Sequence, residues 1–88
     1  MFYTYALNSV KRNYIYVGIT SDLERRLEEH NSGRNKTTRA YRPFVLIFKK
    51  EFKTRSEARV EEKKLKSGYG KEFLKNLVLS QSDENIER

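Results

Sequence analysis

Two short β-prone stretches open the chain, and then the apolar spacing becomes helical. Phe2 to Leu7 and Tyr14 to Ile19 are rich in aromatic and β-branched residues, with the polar run Asn8 to Asn13 between them. This pattern predicts a hairpin with a long connection. Alternation puts Tyr3, Tyr5 and Leu7 on one face of the first strand, and Tyr14, Tyr16 and Gly18 on one face of the second. From Ser21 onward, Leu23, Leu27 and His30 recur at helical spacing, and Arg26 lies one turn before His30. Ser21 with Glu24 has the form of a capping box, and Gly33 predicts a left-handed stop. Residues 34–43 read as a basic loop, and connections this long are often functional. Pro43 favours extended backbone before it, and Phe44 to Phe52 reads as a third strand. Thr54 and Glu57 form a second capping box, opening a helix to about Lys66. Ser67-Gly68-Tyr69-Gly70 reads as a helix break, and Lys71 to Leu79 as a last helix with Phe73, Leu74, Leu77 and Val78 apolar. A polar, flexible tail is expected over 80–88. Three strands and three helices predict one α+β domain over residues 1–79, with helices covering the sheet.

Composition narrows the partners. The chain has 88 residues, enough for one domain. A domain this short buries only about 60% of its unfolded surface, and five Phe and six Tyr enlarge its modest core. With no cysteine, disulfides and thiolate zinc sites are excluded. The longest aliphatic-aromatic run, Phe44 to Phe48, falls far short of the ~20 residues of a membrane span, and the N-terminus has no leader pattern. A cytoplasmic protein without membrane contact is expected. The net charge is +7, and its distribution says more than its size. Residues 34–71 carry thirteen basic and four acidic side chains, whereas residues 1–33 carry four of each. A basic middle segment fits a polyanion, and nucleic acid first of all. A merely solvated, lysine-rich surface has the same composition.

Three groups of residues carry candidate chemistry. Ala58, Glu62 and Leu65 stand at i, i+4 and i+7, which places the Glu62 carboxylate on the stripe facing the sheet. An inward carboxylate must be satisfied by a cation or by donors; a lysine or arginine is the ordinary partner and a metal the rarer one. Arg26 and His30 share a helical face with Leu23 and Leu27. Arginine offers a fork that matches phosphate oxygens, and histidine titrates near neutrality; both types also occur as core-edge residues. Tyr5 and Tyr16 are each ordinary core tyrosines taken singly, but adjacent strands can bring both hydroxyls to one end of a face. A phenol becomes a base only where a cation stabilises the phenolate.

Tyr3-Thr4-Tyr5, Tyr16-Val17-Gly18, the run Gly18 to Gly33 with Arg26 and His30, and Thr54-Arg55-Ser56-Glu57-Ala58 followed by Glu62 together resemble the GIY-YIG nucleases, in particular their small stand-alone members. The resemblance covers about Tyr3 to Leu77. It implies a three-stranded antiparallel sheet packed with helices, and an endonuclease that hydrolyses nucleic-acid phosphodiester bonds, DNA first, with one magnesium or manganese ion. By the same resemblance Glu62 is that ion's sole protein ligand. Arg26 holds the scissile phosphate, and Tyr16 orients or deprotonates the attacking water. Tyr5 and His30 support it, His30 as a proton shuttle, and Gly18 lets substrate backbone approach. All of these groups are expected around one ion on one side of the sheet. Arg34, Lys36, Arg39 and Arg42 of the basic loop are the expected substrate contacts.

Two other readings stay open. A non-catalytic nucleic-acid-binding module needs only the basic segment, and a protein-interaction adaptor needs only exposed aromatics. No DNA-binding domain accompanies the nuclease pattern, so substrate choice falls to the basic loop or to a protein partner. Oligomeric state leaves no signal in the sequence.

Overall fold

The structure, a computed structural model, describes residues 1–87 and side chains as far as Ser80. Of the polar, flexible tail expected at 80–88, the side chains from residue 81 on lie outside the described residues. Three strands, β1 (Phe2–Ser9), β2 (Ile15–Thr20) and β3 (Phe44–Phe52), form one antiparallel sheet in the order β2-β1-β3. Helix α1 (Leu23–Ser32) follows β2, and α2 (Arg55–Lys66) and α3 (Gly68–Glu87) follow β3. The fold is α+β, as the sequence pattern predicts.

The alternation of the central strand sorts its side chains between two cores, one on each face. Tyr5 and Leu7 point to one face, where they pack with Phe44, Leu23, Leu27 and Tyr16. Ala6 points to the other, where Val17, Ile47, Leu65 and Leu74 complete a second cluster. Helix α1 therefore covers one face, and α2 and α3 cover the other. The β1–β3 register slips between Ala6 and Leu7, so that Ala6 pairs with Phe48 and Leu7 with Leu46. The extra residue, Ile47, turns into the α2–α3 core, while Leu46 joins the α1 core. A bulge thus lets neighbouring apolar residues serve opposite layers.

Several helix boundaries depart from expectation. Helix α1 is capped by Asp22, not Ser21. The Asp22 carboxylate accepts from the Arg25 N–H at 3.2 Å, and its own N–H is held by Thr20 Oγ1 at 3.0 Å. The Thr54–Glu57 capping box on α2 forms as predicted. The stretch Ser67 to Gly70 breaks the chain for one residue only: α3 starts at Gly68, and the Ser67 hydroxyl accepts from the Gly70 N–H at 3.3 Å. One serine both ends α2 and starts α3. Gly70 is buried because a Cβ there would strike the Lys64 carbonyl oxygen and the Leu65 Cα. Its missing side chain lets α3 lie directly on the end of α2. Gly33 is left-handed at φ 86° and stops α1 as expected.

The basic loop is more ordered than its composition predicts. The Asn35 side chain accepts from the N–H groups of Thr37 and Thr38, and Arg39–Tyr41 makes a 3₁₀ turn. Asn31 bridges the loop's two ends. Its Nδ2 donates to the Phe44 carbonyl at 3.3 Å, and its Oδ1 accepts from the Phe44 N–H at 2.6 Å. Among the described residues, no helix is long and apolar enough to cross a membrane.

Candidate active site

The pairing of β1 with β2 sets Tyr5 opposite Gly18 and Leu7 opposite Tyr16. Both phenols therefore rise from the α1 face of the sheet, with ring centroids 6.1 Å apart. His30 comes down from α1 between them. Its ring lies 4.7 Å from that of Tyr16, and its Nε2 is 3.1 Å from Tyr5 Oη. The other ring nitrogen, Nδ1, is 2.8 Å from Thr38 Oγ1. Tyr5, His30 and Thr38 are all fully buried. A neutral imidazole has one N–H and one bare nitrogen, so one hydroxyl of this chain accepts from His30 and the other donates to it. Burial lowers the His30 pKa, and the nearby Arg26 guanidinium lowers it further. The ring is neutral at physiological pH, and both of its nitrogens are engaged.

The same burial decides the state of Tyr5. Desolvation raises its pKa, the neighbouring Tyr16 adds to the rise, and Arg26 opposes it. The opposing effect is the smaller, so Tyr5 stays protonated. A phenol that is fully buried and protonated is a positioning group. Tyr16 is only half-buried and is the phenol that solvent can reach.

Arg26 supplies the charge at the open side of this cluster. Its side chain is 40% exposed, and its Nη1 donates to Glu29 Oε1 at 3.0 Å. That hydrogen bond, more than any other contact, raises the Arg26 pKa and lowers that of Glu29. The guanidinium borders a shallow depression of about 290 Å³ that it shares with Arg25, Glu29 and Arg55.

Gly18 sits beneath the cluster for a different reason from the one expected. A Cβ there would lie 2.8 Å from Tyr5 Oη and 2.9 Å from Cε2 of Tyr16. The space over Gly18 is filled by the protein's own phenols, so the missing side chain serves the packing of the cluster.

Glu62 reaches the sheet from α2, whose first residue, Arg55, lines the same depression as Arg26. Its helix, α2, covers the other face, where Thr4 Oγ1 donates to the Ala58 carbonyl at 2.7 Å and Leu65 packs with Ala6 and Val17. The stripe Ala58, Glu62, Leu65 does face the sheet, and the Glu62 side chain is only 14% exposed. Its Oε2 accepts from Lys66 Nζ at 3.1 Å, a partner that is itself 55% exposed. The sequence pattern places Glu62 inward correctly, but it cannot say which face the helix covers. Tyr5, Tyr16, Arg26 and His30 stand together on the α1 face, and Glu62, on α2, is in an ion pair with Lys66.

No cluster of three or more His, Cys, Asp or Glu side chains that could hold a metal occurs among the described residues. A magnesium ion keeps several waters and needs one or two carboxylates. Glu62 fits that sparse requirement: it is half-buried, and one of its oxygens is held only by an exposed lysine at i+4, a pairing worth about 0.3–0.5 kcal/mol.

Of the four loop cations, Arg34 pairs with Glu28 at 3.8 Å, and Arg42 donates to the Arg39 carbonyl at 3.0 Å while its guanidinium covers Gly33. Arg39 and Arg42 line a polar depression of about 560 Å³ together with Lys11. Lys36 is exposed. Thr38 ties this loop to the phenol cluster through His30. The sequence reading missed Thr38, because a threonine in a polar loop carries no periodic or motif signal.

A sequence model described as the GIY-YIG catalytic domain matches residues 1–76. The chain belongs to the GIY-YIG family. A UPF0213 protein of Haloquadratum walsbyi is 40% identical over 72 residues, covering 81% of this chain and 80% of that one. One of Bacillus velezensis is 44% identical over 55 residues, which cover 61% of this chain but only 56% of the relative. The solution NMR structure of a UPF0213 protein from Bacillus halodurans resembles this fold with a TM-score of 0.51 and 36% identity, covering 88% and 85% of the two chains. The GIY-YIG family is one of nucleases, and its members generally use divalent metal ions.

Proposed function

We propose that this GIY-YIG domain is a metal-dependent endonuclease that hydrolyses phosphodiester bonds of nucleic acid, DNA foremost. The observation that carries the reading is the half-open cluster in which buried Tyr5 and His30 hold the outer groups Tyr16 and Arg26. Arg26 binds a phosphate and balances the charge that grows on it during attack. Tyr16, half-exposed beside it, orients the attacking water. Tyr5 and His30 hold these groups in register and do not touch the substrate. Glu62 would hold the hydrated magnesium or manganese ion, which when bound supplies Lewis-acid stabilisation of the phosphate. Arg34, Lys36, Arg39 and Arg42, on the loop that Thr38 ties to the cluster, offer contacts to the nucleic-acid backbone.

The test is magnesium-dependent cleavage of branched, nicked and single-stranded DNA. Arg26→Ala and Glu62→Ala should each lower the rate by at least a hundredfold while leaving the melting curve intact. A folded wild-type protein that cuts none of these substrates counts against the reading.

The Glu62–Lys66 ion pair favours a second reading, a nucleic-acid-binding module without hydrolysis. It predicts salt-sensitive binding that survives both substitutions and is never accompanied by cleavage.

A further inference from the structure

Strand β2 is an edge strand, and the phenol cluster does not account for all of its surroundings. On its α2–α3 side runs a groove of about 460 Å³. Half-buried Ile15, with the buried Val17, Leu65 and Leu74 beneath it, forms a narrow apolar floor, and Tyr16 borders the groove from the edge strand. Three lysines, Lys66, Lys71 and Lys75, border it. Lys71 and Lys75 stand one turn apart on α3, which is about 6 Å along the axis, and both are exposed. At the other end of β2, Ile19 and Thr20 line the depression that holds Arg25, Arg26 and Arg55. Cations thus flank both ends of the edge strand, with Tyr16 between them.

We infer that the lysine-bordered groove is a binding subsite for a single-stranded stretch of nucleic acid, which continues along β2 past Tyr16 to Arg26. This rests on the nuclease reading for its direction, but the groove's own chemistry selects the ligand. Lys71 and Lys75 meet successive backbone phosphates. The apolar floor meets bases that are not paired, whose faces offer a contact that tolerates any sequence. A duplex turns its bases inward and would leave the floor uncovered. An acidic peptide would match the lysines, but it would leave unexplained the continuity with Tyr16 and Arg26.

Anisotropy of a labelled single-stranded oligonucleotide, titrated with the full chain in EDTA over a salt series, tests this. The variants are Lys71→Ala/Lys75→Ala and a control that removes the same charge elsewhere on α2, Arg59→Ala/Lys63→Ala. All four side chains are exposed, and melting curves check that both variants fold. The groove variant should bind the single strand at least tenfold more weakly at low salt. Its salt slope should fall by about 1.4, at about 0.7 per lost phosphate contact on a single strand. The control should stay within twofold of wild type, and binding of the matching duplex should not change. Equal losses in the two variants, or an equal loss on the duplex, would overturn the assignment. A groove variant that binds and cuts as wild type does would remove the subsite and leave the nuclease intact. The expected binding losses in a protein that never cuts would support the groove and sink the enzyme. A wild-type chain that neither binds nor cuts would remove both.

Discussion

Deleting one oxygen atom, with Tyr5→Phe, isolates the buried hydrogen-bond chain from every other feature of the cluster. Tyr5 Oη is 3.1 Å from His30 Nε2, and both residues are fully buried. Phenylalanine keeps the ring and its packing but leaves Nε2 without a partner, out of reach of water. Removing one partner of a buried pair costs about 1–3 kcal/mol, against about 0.5–1.5 for the bond's net contribution. In a domain of this size 1 kcal/mol moves Tm by about 4–8 °C, so a fall of roughly 5–20 °C is expected. Tyr3→Phe is the control. Its hydroxyl bonds Glu51 at 3.0 Å, but at the surface, where water replaces the lost partner and the effect should be far smaller. Gly18 adds a second arm, because a Cβ there would meet the Tyr5 hydroxyl at 2.8 Å. Gly18→Ala should therefore cost less in the Tyr5→Phe background than alone, a coupling that a double-mutant cycle of denaturant melts measures. Equal stability losses for Tyr3→Phe and Tyr5→Phe, or strict additivity with Gly18→Ala, would show that the buried chain does not hold the cluster.

Three further outcomes follow from the same coordinates. His30 has its pKa lowered by burial and by Arg26, so above pH ~6.5 both folded and unfolded states are neutral there. As pH falls through 6.5 the unfolded chain takes up a proton that the folded chain refuses. Stability should drop by up to about 1.4 kcal/mol per pH unit until the folded pKa is reached. Urea midpoints between pH 7.5 and 5 check this, and His30→Gln should flatten the dependence. Gly70→Ala should lower stability by more than about 2 kcal/mol in a thermal melt, although alanine is the better helix former by about 1 kcal/mol, because the new Cβ strikes the α2 backbone at Lys64 and Leu65. Thr38→Val should lose about 1–3 kcal/mol by leaving His30 Nδ1 unpaired, and a loss under about 0.5 kcal/mol would remove Thr38 from the cluster.

The local rules of the chain were legible where one element decides the outcome by itself. Alternation placed Tyr5, Tyr16 and Gly18 on one face, helical spacing put Arg26 and His30 over them, and the Thr54–Glu57 box and Gly33 marked real helix ends. What depends on the meeting of elements was not legible. The inward stripe of α2 was readable, but the choice of sheet face is made by Thr4, Ala6 and Val17 packing under Ala58 and Leu65, and the spacing along the helix does not reveal that choice. Gly70 passed for part of a break because its partner is backbone, which has no signature in the sequence. Ser21 lost to Asp22 as the α1 cap because Thr20 fixes the turn one residue later.

The bridge from Asn31 to both backbone groups of Phe44 closes residues 32–43 at their base, much as a clasp closes a bracelet. Lengthening a closed loop costs little, about 0.6 kcal/mol for each doubling. Inside the clasp Thr38 is buried against His30, and Tyr41 packs on the α1-side core and stacks on Tyr14. Evolution, or an engineer, is therefore at liberty to rewrite Arg34, Lys36, Thr37, Arg39 and Ala40 and so exchange what the domain grips, with the sheet undisturbed.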